Sequence, residues 1–395
     1  MSFAIAKCRR MRRKFLVPPD LASLSTPSLL LERDVLVGNL DRMAARAAAL
    51  GVTLRPHLKT SKSADVAALA ATRGSVGGFT VSTLKEAEYF AAHGHRDLMY
   101  GVSIEPGKFA RAAALIRSGV RLIVTCDHPH VARALAEAGA GLGVRFPTAV
   151  EIDCGEHRSG LAPDDARIAD IAALLHAGPG TELVGVCTHS GHSYAGRALA
   201  EHRAVAEDER AAAVYAAEAL QAHNLPCPLV SLGSTPVALH AEHLKGITEV
   251  RAGVYMFGDL FQTGIGSCRR EEIAISVLTA VIGHRPERNL LLVDAGALAL
   301  SKDTSTAKLP PSQNAGFGLV ATLAGEVIPG ITVAGVYQEH GLITGPGPID
   351  FARFPLGSRL RILPNHSCLT ASAYDRYHVL AGGRLMAEWP RISGW

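Results

Sequence analysis

Several short stretches carry residue types that could do covalent or metal chemistry. Arg55-Pro56-His57-Leu58-Lys59-Thr60-Ser61-Lys62 follows an apolar segment and puts Lys59 at a strand end. A lysine there is either a functional amine or part of a basic surface loop. Leu232-Gly233-Ser234-Thr235-Pro236 has the small residues that let a phosphate approach backbone N–H groups, or it is an ordinary turn. Arg158, before Ser159-Gly160, and His189, in Cys187-Thr188-His189-Ser190-Gly191, also fall just after strand-like runs. Near the C-terminus stands Pro364-Asn365-His366-Ser367-Cys368. If that segment is extended, positions i and i+2 face one side, and imidazole with thiolate is a zinc-type donor pair.

The elements that must position these groups are short apolar strands alternating with alanine-rich helices. Strands are expected at Ser28–Glu32, Thr53–Lys59, Gly78–Ser82, Leu98–Val102, Arg121–Thr125, Ala149–Asp153, Leu183–Thr188, Leu229–Gly233 and Glu249–Gly253. Helices are expected at Asn39–Leu50, capped by Asn39 and ended by Gly51, after the Thr83-x-x-Glu86 capping box, and from Ala198 to His223. Such alternation implies parallel βαβ units. The fold class is therefore α/β, a (β/α)8 TIM barrel, with one of the nine strands belonging elsewhere. An open doubly wound sheet is the second choice, and no GxGxxG follows the first strand to favour it. In a barrel, chemistry sits at the C-terminal strand ends, where the candidates above lie.

Beyond residue 270 the texture changes. Ile273–Ile282, Asn289–Asp294, Ala321–Ile328, Gly335–Ile343 and Ser358–Leu363 read as strands with almost no helix between them, a mostly antiparallel β domain. The expected division is an arm and strand over 1–32 joining the β domain, a barrel over 33–270, and the β domain with the metal pair over 271–395.

Of 395 residues, 48% are hydrophobic and 19% charged, enough for a large core. Lysine and arginine total 40 against 36 acidic residues, a net charge of +4 that argues against nucleic acid or a membrane surface as partner. No apolar run approaches the ~20 residues needed to span a bilayer. Seven dispersed cysteines without a CxxC pair point to reduced thiols and a cytoplasmic protein. The basic start, Met1 to Lys14, lacks a secretion signal's apolar stretch and reads as a solvated arm.

Three runs in this order carry a resemblance: Thr26-Pro27-Ser28-Leu29-Leu30-Leu31-Glu32, Leu54-Arg55-Pro56-His57-Leu58-Lys59-Thr60 and Val81-Ser82-Thr83-Leu84-Lys85-Glu86-Ala87. They resemble the D-serine dehydratase and D-threonine aldolase family, pyridoxal-phosphate (PLP) enzymes with the alanine-racemase-type fold. The resemblance implies that Lys59 carries the cofactor. It implies cofactor contacts from His57, Arg158, His189, the phosphate loop Gly233, Ser234 and Thr235, and Tyr255, with Arg158 on the cofactor or the substrate carboxylate. It makes His366 and Cys368 the metal pair, and thiolate favours zinc over the manganese or magnesium expected of a carboxylate. Gln338-Glu339-His340-Gly341 resembles a family segment in which His340 is an acid/base or metal-proximal group. A homodimer is implied as well. Nearby cations lower a lysine's pKa, and Arg55, His57 and Lys62 are the expected suppliers.

The implied reaction is loss of water from a D-β-hydroxy amino acid, such as D-serine, to give a 2-oxo acid and ammonia. Retro-aldol cleavage of D-threonine or a 3-hydroxyaspartate is the alternative, and Cys368 weighs against it. Racemisation would need no metal at a β-hydroxyl. A non-catalytic PLP carrier of similar barrel fold would leave the β domain unexplained.

Overall fold

The computed structural model describes residues 21–74 and 76–395, so the basic start of the chain lies outside the described residues. Strand β1 (Ser28–Glu32) resolves the count of nine. It pairs antiparallel with Leu278–Ile275 and parallel with His378–Leu380, inside the C-terminal sheet. The other eight strands form one parallel sheet: β2 (Thr53–Leu54), β3 (Phe79–Val81), β4 (Asp97–Ser103), β5 (Arg121–Cys126), β6 (Phe146–Ile152), β7 (Thr181–Thr188), β8 (Leu229–Leu232) and β9 (Glu249–Val250). Their order is β2-β9-β8-β7-β6-β5-β4-β3. Parallel bridges Leu54–Val76 and His57–Thr80 join the two ends and close the barrel.

These strands are buried on both faces, which is why they read as continuous apolar runs rather than alternating ones. Leu122, Ile123 and Val124 of β5 are all fully buried. Met99, Ile123, Ala149, Val184 and Cys187 form a small apolar cluster separate from the main core. Met99 and Cys187 also line the large cavity described below, so this cluster makes its apolar floor.

The first helix, α1 (Arg33–Ala49), begins six residues before the expected start. Asn39 is not its cap. It is buried mid-helix, where Nδ2 donates to the carbonyls of Met256 (2.9 Å) and Glu272 (2.8 Å). Thr83 does cap the helix Leu84–Ala92, with Oγ1 accepting from Glu86 N at 3.0 Å, while Glu86 reaches back to Ser82 N. The long helix Leu199–Ala222 lies where expected.

The C-terminal sheet contains β10 (Ile275–Arg285), β11 (Leu290–Val293), β12 (Leu319–Ala321), β13 (Val327–Val336), β14 (Gly341–Thr344), β15 (Arg359–Leu363), β16 (Arg376–Ala381) and β17 (Arg384–Pro390). Its order is β11-β14-β13-β12-β15-β10-β1-β16-β17, and the extra β10–β11 pairing closes a six-stranded antiparallel barrel. Two expected strands are instead broken by turns. Ala321–Ile328 contains the turn between β12 and β13, and Gly335–Ile343 contains the exposed turn between β13 and β14. The last hairpin, β16–β17, was not expected at all.

Candidate active site

A cavity of about 870 Å3 opens where the barrel strands end and the β domain covers them. Lys59 lines it from the turn after β2. The regular strand expected to run to Lys59 ends at Leu54; backbone bonds continue from Arg55 N to Val250 O (2.9 Å) and from His57 N to Ala252 O (2.7 Å), while Pro56 has no N–H to donate. The chain rejoins the barrel by the His57–Thr80 bridge and then turns, which releases Lys59 into the cavity.

The cations expected to flank Lys59 are committed elsewhere. Arg55 is buried against Glu249 (2.8 Å) and Asp97 (2.6 Å), and Lys62 pairs with Glu86 at 3.0 Å. His57 is held neutral, since burial and then the charges of Lys59 and Arg251 push its pKa well below 6.5. Its Nδ1 accepts from Lys59 N at 3.4 Å.

His189 enters from the end of β7. Its Nδ1–H donates to the Gly233 carbonyl at 2.8 Å, leaving Nε2 as the free ring nitrogen. Burial, then the charge of Lys59, brings its pKa from 6.5 down to about 3. The unfolded chain therefore binds a proton at His189 over a pH range where the fold does not, so stability is complete above 6.5 and is lost as pH falls toward 3. Urea midpoints at pH 7 and pH 4.5 are expected to fall less in His189→Gln than in the parent. An equal fall in both would show that His189 carries no such linkage.

Gly233, Ser234 and Thr235 all line the cavity. Gly233 has φ +138°, and a Cβ there would meet the Arg251 backbone at 2.5 Å. Gly233→Ala is expected to lower stability by about 2–4 kcal/mol in urea unfolding; an unchanged midpoint would contradict the close approach. Ser234 Oγ meets Ser193 Oγ at 2.8 Å, and Thr235 Oγ1 accepts the backbone N–H of Tyr255 at 3.3 Å. Among the described residues the Tyr255 hydroxyl is buried without a hydrogen-bond partner, although Tyr255 does not line the cavity.

Arg158 reaches the cavity from the loop after β6. Asp153 ties that loop by accepting from Gly155 N (2.9 Å) and His157 N (3.0 Å). Cys187 at the floor is a neutral thiol, pushed up to about 12 by burial.

His366 and Cys368 line the same cavity. The expected extended geometry holds for His366 (φ −139°), but Cys368 already lies in the short helix Ser367–Ser372. The two side chains still stabilise each other's charged forms. Cys368 Sγ lies 3.3 Å from Thr60 Oγ1, next to the cofactor-lysine candidate. Asp303 stands 3.5 Å from His366 Nδ1 and orients the ring. Burial opposes charge on both members, but Asp303 and Cys368 raise His366 to about 11, and His366 with Thr60 brings Cys368 below 9. Among the described residues no set of three or more histidine, cysteine or carboxylate side chains forms a complete metal cage. His340 is not in this cavity. It sits in the exposed turn between β13 and β14.

Two contributors escaped the sequence reading. Arg251 is buried in the cavity wall, donating to Ser231 Oγ (2.5 Å) and the Thr188 carbonyl. Glu209 is fully buried and accepts from Thr188 Oγ1 (2.9 Å), Ser190 Oγ (2.6 Å) and Gly233 N (3.0 Å), so it joins the His189 loop to the Gly233 loop. A signal existed: Glu209 interrupts a small-residue face that continues at Ala206, Ala213 and Ala216.

Residues 31–260 match the family described as alanine racemase, N-terminal domain, and residues 274–380 match a serine dehydratase domain. The D-threo-3-hydroxyaspartate dehydratase of Delftia sp. is 46% identical over 95% of this chain and 99% of its own. Its solved structure superposes with a TM-score of 0.92, covering 95% of this chain and all of that one. That enzyme has also been solved as a histidine-to-alanine variant and, in a metal-free form, as a cysteine-to-alanine variant. A D-serine dehydratase of Dictyostelium discoideum is 33% identical over 91% of this chain and 94% of its own. The D-threonine aldolase of Filomicrobium marinum has a TM-score of 0.80 at 25% identity, over 95% of this chain and 97% of that one.

Proposed function

Since the chain belongs to the alanine-racemase-like family of PLP-dependent D-serine dehydratases and D-threonine aldolases, we propose that it eliminates water from a D-β-hydroxy amino acid, yielding a 2-oxo acid and ammonia. D-serine and D-threo-3-hydroxyaspartate are the two substrates that its relatives' names suggest. The observation that carries this reading is the His366–Cys368 pair in the same cavity as Lys59.

The residues present fit the cofactor. Gly233, Ser234 and Thr235 line the cavity with small residues, and the Tyr255 hydroxyl, buried without a partner among the described residues, lies in the residue bonded to Thr235. Gly233, Ser234, Thr235 and Tyr255 would hold its phosphate, Lys59 its carbonyl carbon, and His57, His189 and Arg158 its flanks. The donor set also fits a divalent ion, zinc by softness: a thiol already drawn toward thiolate beside an imidazole oriented by a carboxylate. When bound, the cofactor supplies an electron sink for charge developing at Cα and the ion a Lewis acid for the β-hydroxyl.

Lys59 Nζ would take the α-proton of the bound substrate. Arg158 fixes the substrate carboxylate. His57 and His189 are neutral, so neither competes with Lys59 as a charged acid at neutral pH. His366 and Cys368 would hold the ion and leave it open to the substrate's β-hydroxyl. His340 has a part in this reading across a homodimer, where a second copy would bring its β13–β14 turn to the cavity. We keep the division at 33–270 and 271–395, with residues 1–32 assigned to the β domain. Six free cysteines among the described residues accord with a cytoplasmic enzyme, and no described helix is long and apolar enough to cross a membrane.

The test uses chelator-dialysed protein with added PLP. It is expected to release 2-oxo acid and ammonia in equal amounts from D-serine or D-threo-3-hydroxyaspartate when zinc or manganese is restored, and none from the L-isomers. Metal-independent release, or none with either D-substrate, would overturn the reading.

A further inference from the structure

The cavity holds more positive charge than its own carboxylates and the cofactor-binding groups account for. Five lysine and arginine side chains line it: Lys59, Arg158, Arg197, Arg251 and Lys308. Arg251 is spent on Ser231 and the Thr188 carbonyl. Arg197 is spent on the carbonyls of Tyr194 (3.0 Å), Ala195 (2.9 Å) and Gly196 (2.8 Å). The lining carboxylates are committed too. Glu151 accepts from Ser103 (3.0 Å) and Ser159 (2.6 Å), and Asp259 accepts from Gln262 N (2.8 Å) and Ser367 N (3.0 Å). Among the described residues none of the five pairs with a carboxylate, and with Lys59 given to the cofactor only Arg158 and Lys308 also make no side-chain hydrogen bond. One answers the α-carboxylate that every amino acid carries, and the other has nothing to bind unless the substrate has a second.

Lys308 is also held in place. It ends the turn Ser305–Lys308, whose Thr306 is fully buried and bonded to Asn365 Oδ1 (3.3 Å) and Ala315 N (3.2 Å). The next residue, Leu309, is buried against Gly264. The same loop carries Asp303, which orients His366. The free ammonium thus belongs to the loop that shapes the end of the cavity where a β-substituent meets the metal pair.

Resting on the elimination reading above, we propose that Lys308 is a specificity-determining residue that binds a second carboxylate, on the β-carbon. The substrate class is then a dicarboxylic D-β-hydroxy amino acid rather than D-serine. A charge-assisted contact of this kind separates dicarboxylate from monocarboxylate without touching the chemistry at Cα.

The holoenzyme, Lys308→Ala and Lys308→Arg are assayed for 2-oxo acid from D-threo-3-hydroxyaspartate and from D-serine. In Lys308→Ala, kcat/KM for the dicarboxylate is expected to fall on the order of 10- to 100-fold, mostly through KM, with D-serine unchanged and Lys308→Arg close to the parent. An equal fall for both substrates, or none for the dicarboxylate, overturns the assignment. Binding of D-aspartate against D-alanine, read from the cofactor's visible spectrum, gives a second readout independent of turnover. Should the parent make no 2-oxo acid from either substrate, the elimination reading fails, and the D-aspartate preference, lost in Lys308→Ala or not, still decides Lys308.

Discussion

Lys59→Ala is expected to lose the visible absorbance of lysine-bound PLP and to lose turnover by on the order of 10^4-fold or more. The size follows from two jobs in one amine: it holds the cofactor's carbonyl carbon, and it takes the α-proton. The fold should be unaffected, because Lys59 is exposed in a turn and its side chain makes no hydrogen bond or ion pair among the described residues. Absorbance spectroscopy on the purified variant, with an unfolding midpoint as control, checks both halves. A surviving band at the parent's wavelength would move the cofactor role to another lysine. Lys62 is already paired with Glu86 and is a poor replacement.

Cys368→Ala is the second large effect. Removing the thiolate leaves His366, oriented by Asp303, as the one proposed protein ligand, and loss of Lewis-acid help at the β-hydroxyl is worth several kcal/mol, or about 10^3-fold in rate. Zinc content measured after dialysis should drop with the rate. Cys368→Asp is expected to bind manganese or magnesium in preference to zinc, since carboxylate is the harder donor. The ordinary alternative is that Cys368 merely packs against Thr60. In that case Cys368→Ala would keep both its metal content and its activity.

The barrel was legible because its strands are buried on both faces, so each is a short apolar run between helices. β1 looked like a ninth barrel strand because its Leu29-Leu30-Leu31 core is just as apolar; which sheet it joins depends on β10 and β16, more than 240 residues away. The start of α1 was misplaced for a related reason. Asn39 has the chemistry of a cap, but its partners are carbonyls at Met256 and Glu272, which no local pattern reveals. The two broken strands hid their turns inside continuous β-forming sequence, with Gly325 and His340 as weak markers.

At the site, Lys59, the Gly233 loop, Arg158, His189, His366 and Cys368 converge because each follows a barrel strand or the strand β15 that faces it. Tyr255 is buried but does not line the cavity, and His340 lies in the exposed β13–β14 turn. The supposed activating cations were misread because sequence shows Arg55 and Lys62 but not the carboxylates folded against them. Glu209 and Arg251 were missed for the converse reason: their meaning lies in hydrogen bonds to loops far along the chain.

The identity of the carbon product from D-threo-3-hydroxyaspartate tests elimination against aldol cleavage most directly. Metal-replete holoenzyme is expected to yield oxaloacetate and ammonia in equal amounts, through loss of the β-hydroxyl and hydrolysis at Cα. Glycine and glyoxylate in its place would mean that the Cα–Cβ bond breaks, and would contradict the role given to His366 and Cys368.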